Sequence, residues 1–364
     1  MSKIEMNVSP DVKRAMTSFK TAMNKKYGEG GDIFANGQYQ DFESISSGSA
    51  ILDGLLGNGG WVRGRVHEIF GASGSGKSTI VSLTCANARR QYPDKYILYV
   101  DAEQAQNHTY MRKLGLDCEN DEGVVFLQMQ EAENVFEVID GAVATGAFSL
   151  VIVDSVPALM TKRELNGDYD KETMAEKARF LSKALPKLLE SLKKANTTLI
   201  FVNQVRDKMD MWGGVTTPGG KAIPFYCSSR VKVNSTPSMR IKNSSGDGFI
   251  GQTVDFTIIK NKVGSPFGVG ESNLYFGVGF NRVEELIDAA IAKDVFEKGG
   301  AWYTLPYCTP DGEVLKFQGK TGLKTYYEAN PSELDKLQEL VNNAGYDDDG
   351  IQVVGAPGTV EDGY

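Results

Sequence analysis

The chain has 364 residues, with 39 Lys and Arg against 47 Asp and Glu, a formal net charge of −8 and 41% hydrophobic residues. That composition predicts a soluble globular protein of about two domains and excludes a disordered, fibrous or disulfide-stapled chain. Taken at face value, the acidic balance also argues against a protein that coats nucleic acid, because neutralising phosphates takes Lys and Arg.

The opening MSKIEMNVSPDVKRAM has no apolar leader core, and no later stretch approaches about 18 uninterrupted apolar residues, so neither export nor a membrane span is expected. Cys85, Cys118, Cys227 and Cys308 are scattered and the two histidines are His67 and His108, a set with no metal-ligand spacing. A reduced, cytosolic protein without structural metal is expected.

In chain order, Ser9-Pro10 is a helix-start signal, and Val12, Met16, Phe19 and Met23 recur behind it on one helical face, up to the glycines Gly28, Gly30 and Gly31. That stripe must be buried against its own domain or a neighbouring subunit, and spacing leaves both open. From about residue 45, apolar strands alternate with longer helices. Strands are predicted at Val66 to Phe70, Tyr96 to Val100, Val124 to Leu127, Leu150 to Val153, Thr198 to Val202, Ser229 to Val233, Val254 to Lys260 and Asn273 to Phe276. Several are continuous apolar runs, as in a mostly parallel sheet covered by helices on both faces.

A helix over Lys177 to Ala195 turns Ala178, Leu181, Leu185, Leu188, Leu189 and Leu192 inward, and Pro186 inside it predicts a kink costing about 3 kcal/mol if uncompensated. Beyond residue 280 a smaller unit is expected, with a helix at Val283 to Ala292, a strand after Gly299-Gly300 and a last helix at Pro331 to Asn343. The boundaries are an N-terminal arm at 1–40, a core at 41–278, a small α+β C-terminal domain at 279–345, and a tail at 346–364. The tail holds five acidic residues and no basic ones, a disordered composition.

Gly71-Ala72-Ser73-Gly74-Ser75-Gly76-Lys77-Ser78 fits G-x-x-x-x-G-K-[ST] and sits between a predicted strand and a helix running on from Ser78 and Thr79. In that context the glycines let backbone N–H groups close on phosphate, Lys77 reaches the β- and γ-phosphates, and the Ser78 hydroxyl ligates Mg²⁺. Asp154 closes the apolar run Leu150 to Val153, as a carboxylate facing the metal would. Glu103 follows the strand Tyr96 to Val100, where it can orient and deprotonate water. Asn203-Gln204 follows Thr198 to Val202, where an amide can sense the γ-phosphate. All stand at the carboxyl ends of strands, where such folds bind ligands.

Gln204 opens a long glycine-rich segment running to Gly220, with Met209, Met211 and Trp212 where no regular element would bury them and Arg206, Lys208 and Lys221 beside them. Such a loop either folds back over its own core or inserts side chains between bases while cations hold phosphates.

These blocks, with SISSGSAILDGLLGNGGWVRGRVHEIFGASGSGKST, VDAEQAQNHTYMRKLG, VIVDSVPAL, FVNQVR, TTPGGKAIPFYCSSR and IIKNKVGSPF in that order, resemble the RecA family of homologous-recombination proteins over residues 5 to 345. The resemblance implies a RecA-like P-loop ATPase core using ATP and Mg²⁺, with Glu103 as catalytic glutamate and Gln204 as γ-phosphate switch. Tyr110 matches the tyrosine stacked on adenine, and Asn107 stands where an acidic adenine contact is usual. Lys260 and Lys262 match lysines that reach ATP on the neighbouring subunit, and Phe225 an aromatic that carries ATP's effect across the interface. Two DNA-binding loops are implied near 166–175 and 205–220, the latter including Met211, Trp212, Gly219 and Gly220, with Arg179 and Arg206 as phosphate contacts. Val12, Met16 and Phe19 would dock on the next subunit. Ser78 replaces the usual Thr, Trp212 a commoner Phe, and 306–313 resembles an insertion. The same resemblance implies a cytoplasmic, nucleoid-associated recombination and repair protein. Such a protein forms helical filaments on single-stranded DNA and exchanges strands with homologous duplex, with loader and repressor proteins as further partners. A ring helicase or loader ATPase, or a scaffold promoting repressor self-cleavage, are the alternatives.

Overall fold

The computed structural model describes residues 9–27, 42–166, 174–207, 215–243, 245–308 and 312–344. The acidic tail and Lys208, Met211 and Trp212 lie outside them. The chain divides into two units, Met1–Phe42 and Glu43–Tyr364. In the first, the Ser9 hydroxyl accepts from the Val12 N–H at 3.4 Å and opens helix α1 (Pro10–Tyr27). No residue of α1 is buried, and Val12, Met16 and Phe19 are each more than half exposed.

The second unit starts with a β-ribbon, β1 (Ser44–Ile45) and β2 (Trp61–Val62), around α2 (Ala50–Leu56). There follow β3 (Val66–Gly71), α3 (Lys77–Gln91), β4 (Tyr96–Asp101), α4 (His108–Lys113), β5 (Val124–Leu127), α5 (Ala132–Ala144) and β6 (Phe148–Asp154). Next come α6 (Lys162–Asn166), α7 (Met174–Ala195), β7 (Thr198–Gln204), β8 (Arg206–Asp207), β9 (Val215–Thr216) and α8 (Ala222–Tyr226). The antiparallel edge uses β10 (Ser229–Asn234), β11 (Arg240–Lys242), β12 (Phe249–Asn261), β13 (Val269–Tyr275) and β14 (Gly279–Phe280).

The main sheet runs β14-β13-β12-β10-β3-β7-β6-β4-β5, with β11 on β12. Strands β10, β3, β7, β6, β4 and β5 pair in parallel, while β11 to β14 are antiparallel. The continuous apolar runs are explained by burial on both faces: one core joins Ile69, Ile80, Ile152 and Tyr99 under α3, the other Val66, Val153, Phe201 and Leu185 under α5 and α7.

Helix α7 runs through Pro186 as one element. The proline is on its exposed face, where water can satisfy the carbonyl that loses its N–H partner, while buried Leu181, Leu185, Leu188 and Leu192 hold both halves on the sheet. Where the sequence suggested no regular element after Gln204, β8 and β9 close the base of the segment as a ribbon, Arg206 opposite Thr216.

After β14 come α9 (Arg282–Ala292), β15 (Glu297–Gly299), β16 (Trp302–Thr304), β17 (Lys316–Gln318), α10 (Gly319–Ala329) and α11 (Pro331–Asn343). The three strands make an antiparallel sheet, and Leu286, Phe296, Tyr303, Leu323, Tyr327 and Leu337 form a third core. The buried Glu285 carboxylate ties α9 to α2, accepting from the Ser49 hydroxyl at 2.5 Å, the Ala50 N–H at 2.7 Å and the Ser272 hydroxyl at 2.6 Å. Between β16 and β17, in the 306–313 stretch, Tyr307 is anchored by a 3.1 Å hydroxyl contact with Tyr327. Among the described residues no helix is long and apolar enough to cross a membrane.

Candidate active site

Strand β3 delivers Gly71 to the sheet's carboxyl edge beside Gln204 of β7. A side chain at Gly71 would put its Cβ 2.0 Å from the Val233 carbonyl oxygen, so the turn into the phosphate loop admits only glycine. Gly76, the residue before α3, has φ 97°, and a Cβ there would lie 2.7 Å from Leu274. The loop therefore ends on the N-terminus of a 15-residue helix, an anion site in its own right.

Inside it, the Lys77 ammonium donates to the carbonyls of Gly71 at 3.1 Å and Ala72 at 2.6 Å. Burial holds its pKa below the usual lysine value, and Asp154 and Glu103 pull it back up. The Ser75 hydroxyl is buried with no hydrogen-bond partner among the described residues. A cation held only by neutral carbonyls and an orphaned hydroxyl are what a triphosphate would satisfy, so the donor set fits ATP.

Beside the loop, the Ser78 hydroxyl is close enough to the Asp154 carboxylate to favour its charged form. Burial raises the Asp154 pKa, and the hydrogen bond from Tyr99 and the nearby Ser78 hydroxyl oppose that rise. A hydroxyl and a carboxylate together are the hard oxygen donors that Mg²⁺ takes alongside phosphate and water. In the parallel ladder Asp101 lies level with Asp154. The buried Asp101 carboxylate accepts from the Ala105 and Gln106 N–H groups, both at 3.3 Å, and so shapes the turn that carries Glu103. Glu103 Oε1 accepts from Gln204 Nε2 at 3.2 Å and from the Ser155 hydroxyl. Lys77, Ser78, Glu103, Asp154 and Gln204 thus meet at one edge. Sequence reasoning missed Ser155, Tyr99 and Gln106, because a serine after a strand, a tyrosine within an apolar run and a glutamine in a turn carry no motif.

A cleft of about 450 Å³ opens over Gly74, Gly76, Lys77, Ser78 and Thr79, with Tyr110, Phe276, Phe249 and Arg240 on its walls. The Tyr110 hydroxyl accepts from the Gly277 N–H at 3.3 Å, bringing α4 to the end of β13. Tyr110 and the half-exposed Phe276 offer flat apolar surface for a base. Asn107 is exposed and caps α4, its side-chain oxygen accepting from the Tyr110 N–H at 3.0 Å. Ala72 and Ser73 are exposed on the loop.

Lys260 and Lys262 stand elsewhere. Lys260 pairs across the sheet with Arg230, which pairs with Glu68, three residues before Gly71 on β3. The pair therefore lies toward the opposite edge from the phosphate loop. Lys260 Nζ donates to the carbonyls of Pro224 at 2.6 Å and Phe225 at 2.8 Å, and Lys262 Nζ lies 5.9 Å from the Phe225 ring centroid. Burial and the neighbouring Lys262 lower the Lys260 pKa. Phe225 is 67% exposed, unusual for a phenylalanine beside two cations.

The glycine-rich segment leaves the site directly, with Arg206 two residues beyond Gln204 at the base of the β8–β9 ribbon. Gly219 (φ 94°) and Gly220 (φ 69°) return the chain against α7, where a Cβ on Gly220 would lie 2.7 Å from that of Ala178. Arg179 and Arg206 are exposed, and Arg206 acts electrostatically on Lys177, whose pKa is lowered by burial, pulled back up by Glu164 and pushed down again by that arginine. A buried network backs this base. Glu68 binds Asn203 Nδ2 at 2.9 Å and Arg230 Nε at 2.5 Å, and Asn203 also donates to the Pro218 carbonyl at 3.0 Å.

A phosphate loop closing on a helix N-terminus, with Ser78, Asp154, Glu103 and Gln204 gathered beside it on the carboxyl edge of a mostly parallel sheet, has the layout of the P-loop ATPase class. The family model described as the RecA N-terminal domain matches residues 14–281. The chain is 35% identical to Protein RecA of Macrococcus caseolyticus (strain JCSC5402) over 335 residues, 91% of this chain and 90% of that one. The chain belongs to the RecA family, a recombinase-like group whose members bind ATP and are generally DNA-dependent ATPases.

Proposed function

We propose that the protein is a single-stranded-DNA-dependent ATPase that polymerises on DNA and catalyses homologous strand exchange. The observation that carries this reading is the hydrogen bond from Gln204 to Glu103, with the DNA-loop ribbon starting two residues further on. A group that meets the catalytic carboxylate on one side and begins the loop on the other can couple nucleotide state to DNA contact.

The phosphate loop and Lys77 would hold the triphosphate, Tyr110 and Phe276 the base, and Ser78 and Asp154 the metal. Bound Mg²⁺ supplies charge neutralisation on the phosphates. Glu103 accepts the proton of the attacking water and Ser155 orients that carboxylate. Lys260 and Lys262, directed away from their own loop, act in the manner of an arginine finger on the ATP of a neighbouring copy, with Phe225 at the same junction. The exposed stripe Val12, Met16 and Phe19 is the second polymer contact. Arg179, Arg206, Lys208, Met211 and Trp212 hold DNA by phosphate contact and stacking. Sequence specificity then comes from base pairing between strands.

Two measurements test the reading together: ATP hydrolysis with and without single-stranded DNA, and strand exchange between a circular single strand and its linear duplex. DNA-stimulated turnover with product formation is expected. Turnover indifferent to DNA overturns it, and stimulated turnover on closed rings without exchange assigns a helicase or loader instead.

A further inference from the structure

The carboxylate of Asp154 receives more hydrogen bonds than the phosphate-loop motif explains. Its Oδ2 accepts from the Tyr99 hydroxyl at 2.8 Å and from Gln106 Nε2 at 2.8 Å. Tyr99 comes from the middle of β4, level with Ile152 of β6, so strand alternation turns its ring to the same face as Asp154, two residues further along. The ring is fully buried, with its centroid 5.3 Å from that of Phe126. Gln106 comes from the turn after β4, whose backbone is fixed by Asp101. Two elements with separate anchors thus aim neutral donors at one oxygen.

We propose that Tyr99 and Gln106 are positioning residues for the carboxylate that would hold the metal, fixing its rotation by occupying Oδ2 so that Oδ1 would be left for Mg²⁺. A carboxylate rotates readily about its last torsion. Two donors converging on Oδ2 remove that freedom before the metal arrives, as outer-shell hydrogen bonds do for metal ligands generally. Both donors are neutral, so they hold the anion without competing with the cation as a lysine or arginine would. A buried tyrosine hydroxyl needs some acceptor in any case, but that need does not explain a glutamine from a separate turn on the same atom. This inference rests on the ATPase reading, since it concerns the site's affinity for its metal.

The test uses the full chain without DNA and a fluorescent N-methylanthraniloyl ATP as probe. Mg²⁺ is titrated into wild type, Tyr99→Phe, Gln106→Leu and the double variant, and nucleotide binding is repeated in EDTA. Tyr99→Phe keeps the ring on Phe126, and Gln106→Leu keeps the side-chain volume. The expected result is a rise of about tenfold or more in half-saturating Mg²⁺ for each variant. Binding in EDTA and thermal unfolding midpoints stay near wild type, and full occupancy returns at high Mg²⁺. Unchanged half-saturating Mg²⁺ in the double variant overturns the proposal, as does weakened binding that is the same with and without metal. Absence of probe binding by the wild type at any Mg²⁺ concentration instead overturns the ATPase reading itself.

Discussion

The side-chain amide of Gln204 donates to the carboxylate of Glu103 at 3.2 Å, although the two are 101 residues apart in sequence. They come from the carboxyl ends of strands β7 and β4, which flank β6 in the sheet. The contact holds the proposed water-activating group and the origin of the proposed DNA loop in one hydrogen-bonded unit. A ligand with acceptor oxygens at this edge competes directly for the amide, which is a physical basis for a switch.

Replacing Glu103 by Gln removes the proposed base but keeps size and polarity. Hydrolysis is expected to fall by about 10²–10⁴-fold while ATP and DNA binding persist. Replacing Gln204 by Ala is expected to leave ATP binding intact and remove DNA stimulation. Steady-state hydrolysis with and without single-stranded DNA, alongside DNA binding by anisotropy, checks both. A Gln204→Ala protein that DNA still stimulates as strongly as wild type contradicts the coupling.

Lys260 sits level with Glu68, away from its own phosphate loop, and its ammonium is held by the carbonyls at the end of α8. Lys260→Ala should therefore bind ATP normally and lose about 10³-fold or more in turnover. A mixing experiment separates trans from cis action. Glu103→Gln and Lys260→Ala proteins, each inactive alone, regain hydrolysis when combined, because some junctions then pair an intact glutamate with an intact lysine. No recovery on mixing, with both proteins still incorporated into filaments, refutes trans catalysis.

The phosphate loop, the strand-end Asp154 and the helical face of α1 were legible in the sequence because each follows a local pattern: a fixed spacing, an apolar run closing on a carboxylate, a 3.6-residue period. The partners of those residues were not. Tyr99 reads as one more apolar strand position, and Gln106 as a loop residue, until the parallel register brings β4 beside β6. Helix α10 was missed because Gly319, Lys320, Thr321 and Gly322 make a poor helix start, while its packing comes from Leu323 and Tyr327 buried against distant elements. Ser49 caps α2 locally by accepting from the Leu52 N–H, but the Glu285 carboxylate that takes the Ser49 hydroxyl and the Ala50 N–H lies 236 residues beyond Ser49, and no local signal could reveal it.

Along α1, Val12, Met16 and Phe19 lie at 56%, 54% and 51% exposure. A helix of this kind gains its stability from covering such a stripe. Met16→Glu places a charge in its middle, with an expected cost of several kilocalories at a buried interface and almost none on an exposed helix. The variant should remain folded and bind ATP, yet sediment as a smaller species with ATP and lose DNA-stimulated turnover. Unaltered assembly in analytical ultracentrifugation would remove the stripe from the polymer contact.

Asp53 provides the clearest dependence on pH outside the site. Burial lifts its pKa from 3.8 to about 7, against hydrogen bonds from Ser46 and Ser47, and the nearby Glu285 pushes it further up. A carboxyl whose folded value is raised binds its proton more tightly in the native state than in the unfolded chain. Its contribution to stability is therefore fully present below about pH 4 and is lost as pH rises through about 7. Asp53→Asn keeps an acceptor for the Ser47 N–H, supplies a donor to the Ser46 hydroxyl, and does not titrate. Urea unfolding at intervals from pH 4 to 8 should show the wild type losing stability relative to Asp53→Asn across that window and running parallel to it above. Parallel curves throughout would mean that Asp53 ionises as readily in the native protein as in the unfolded chain.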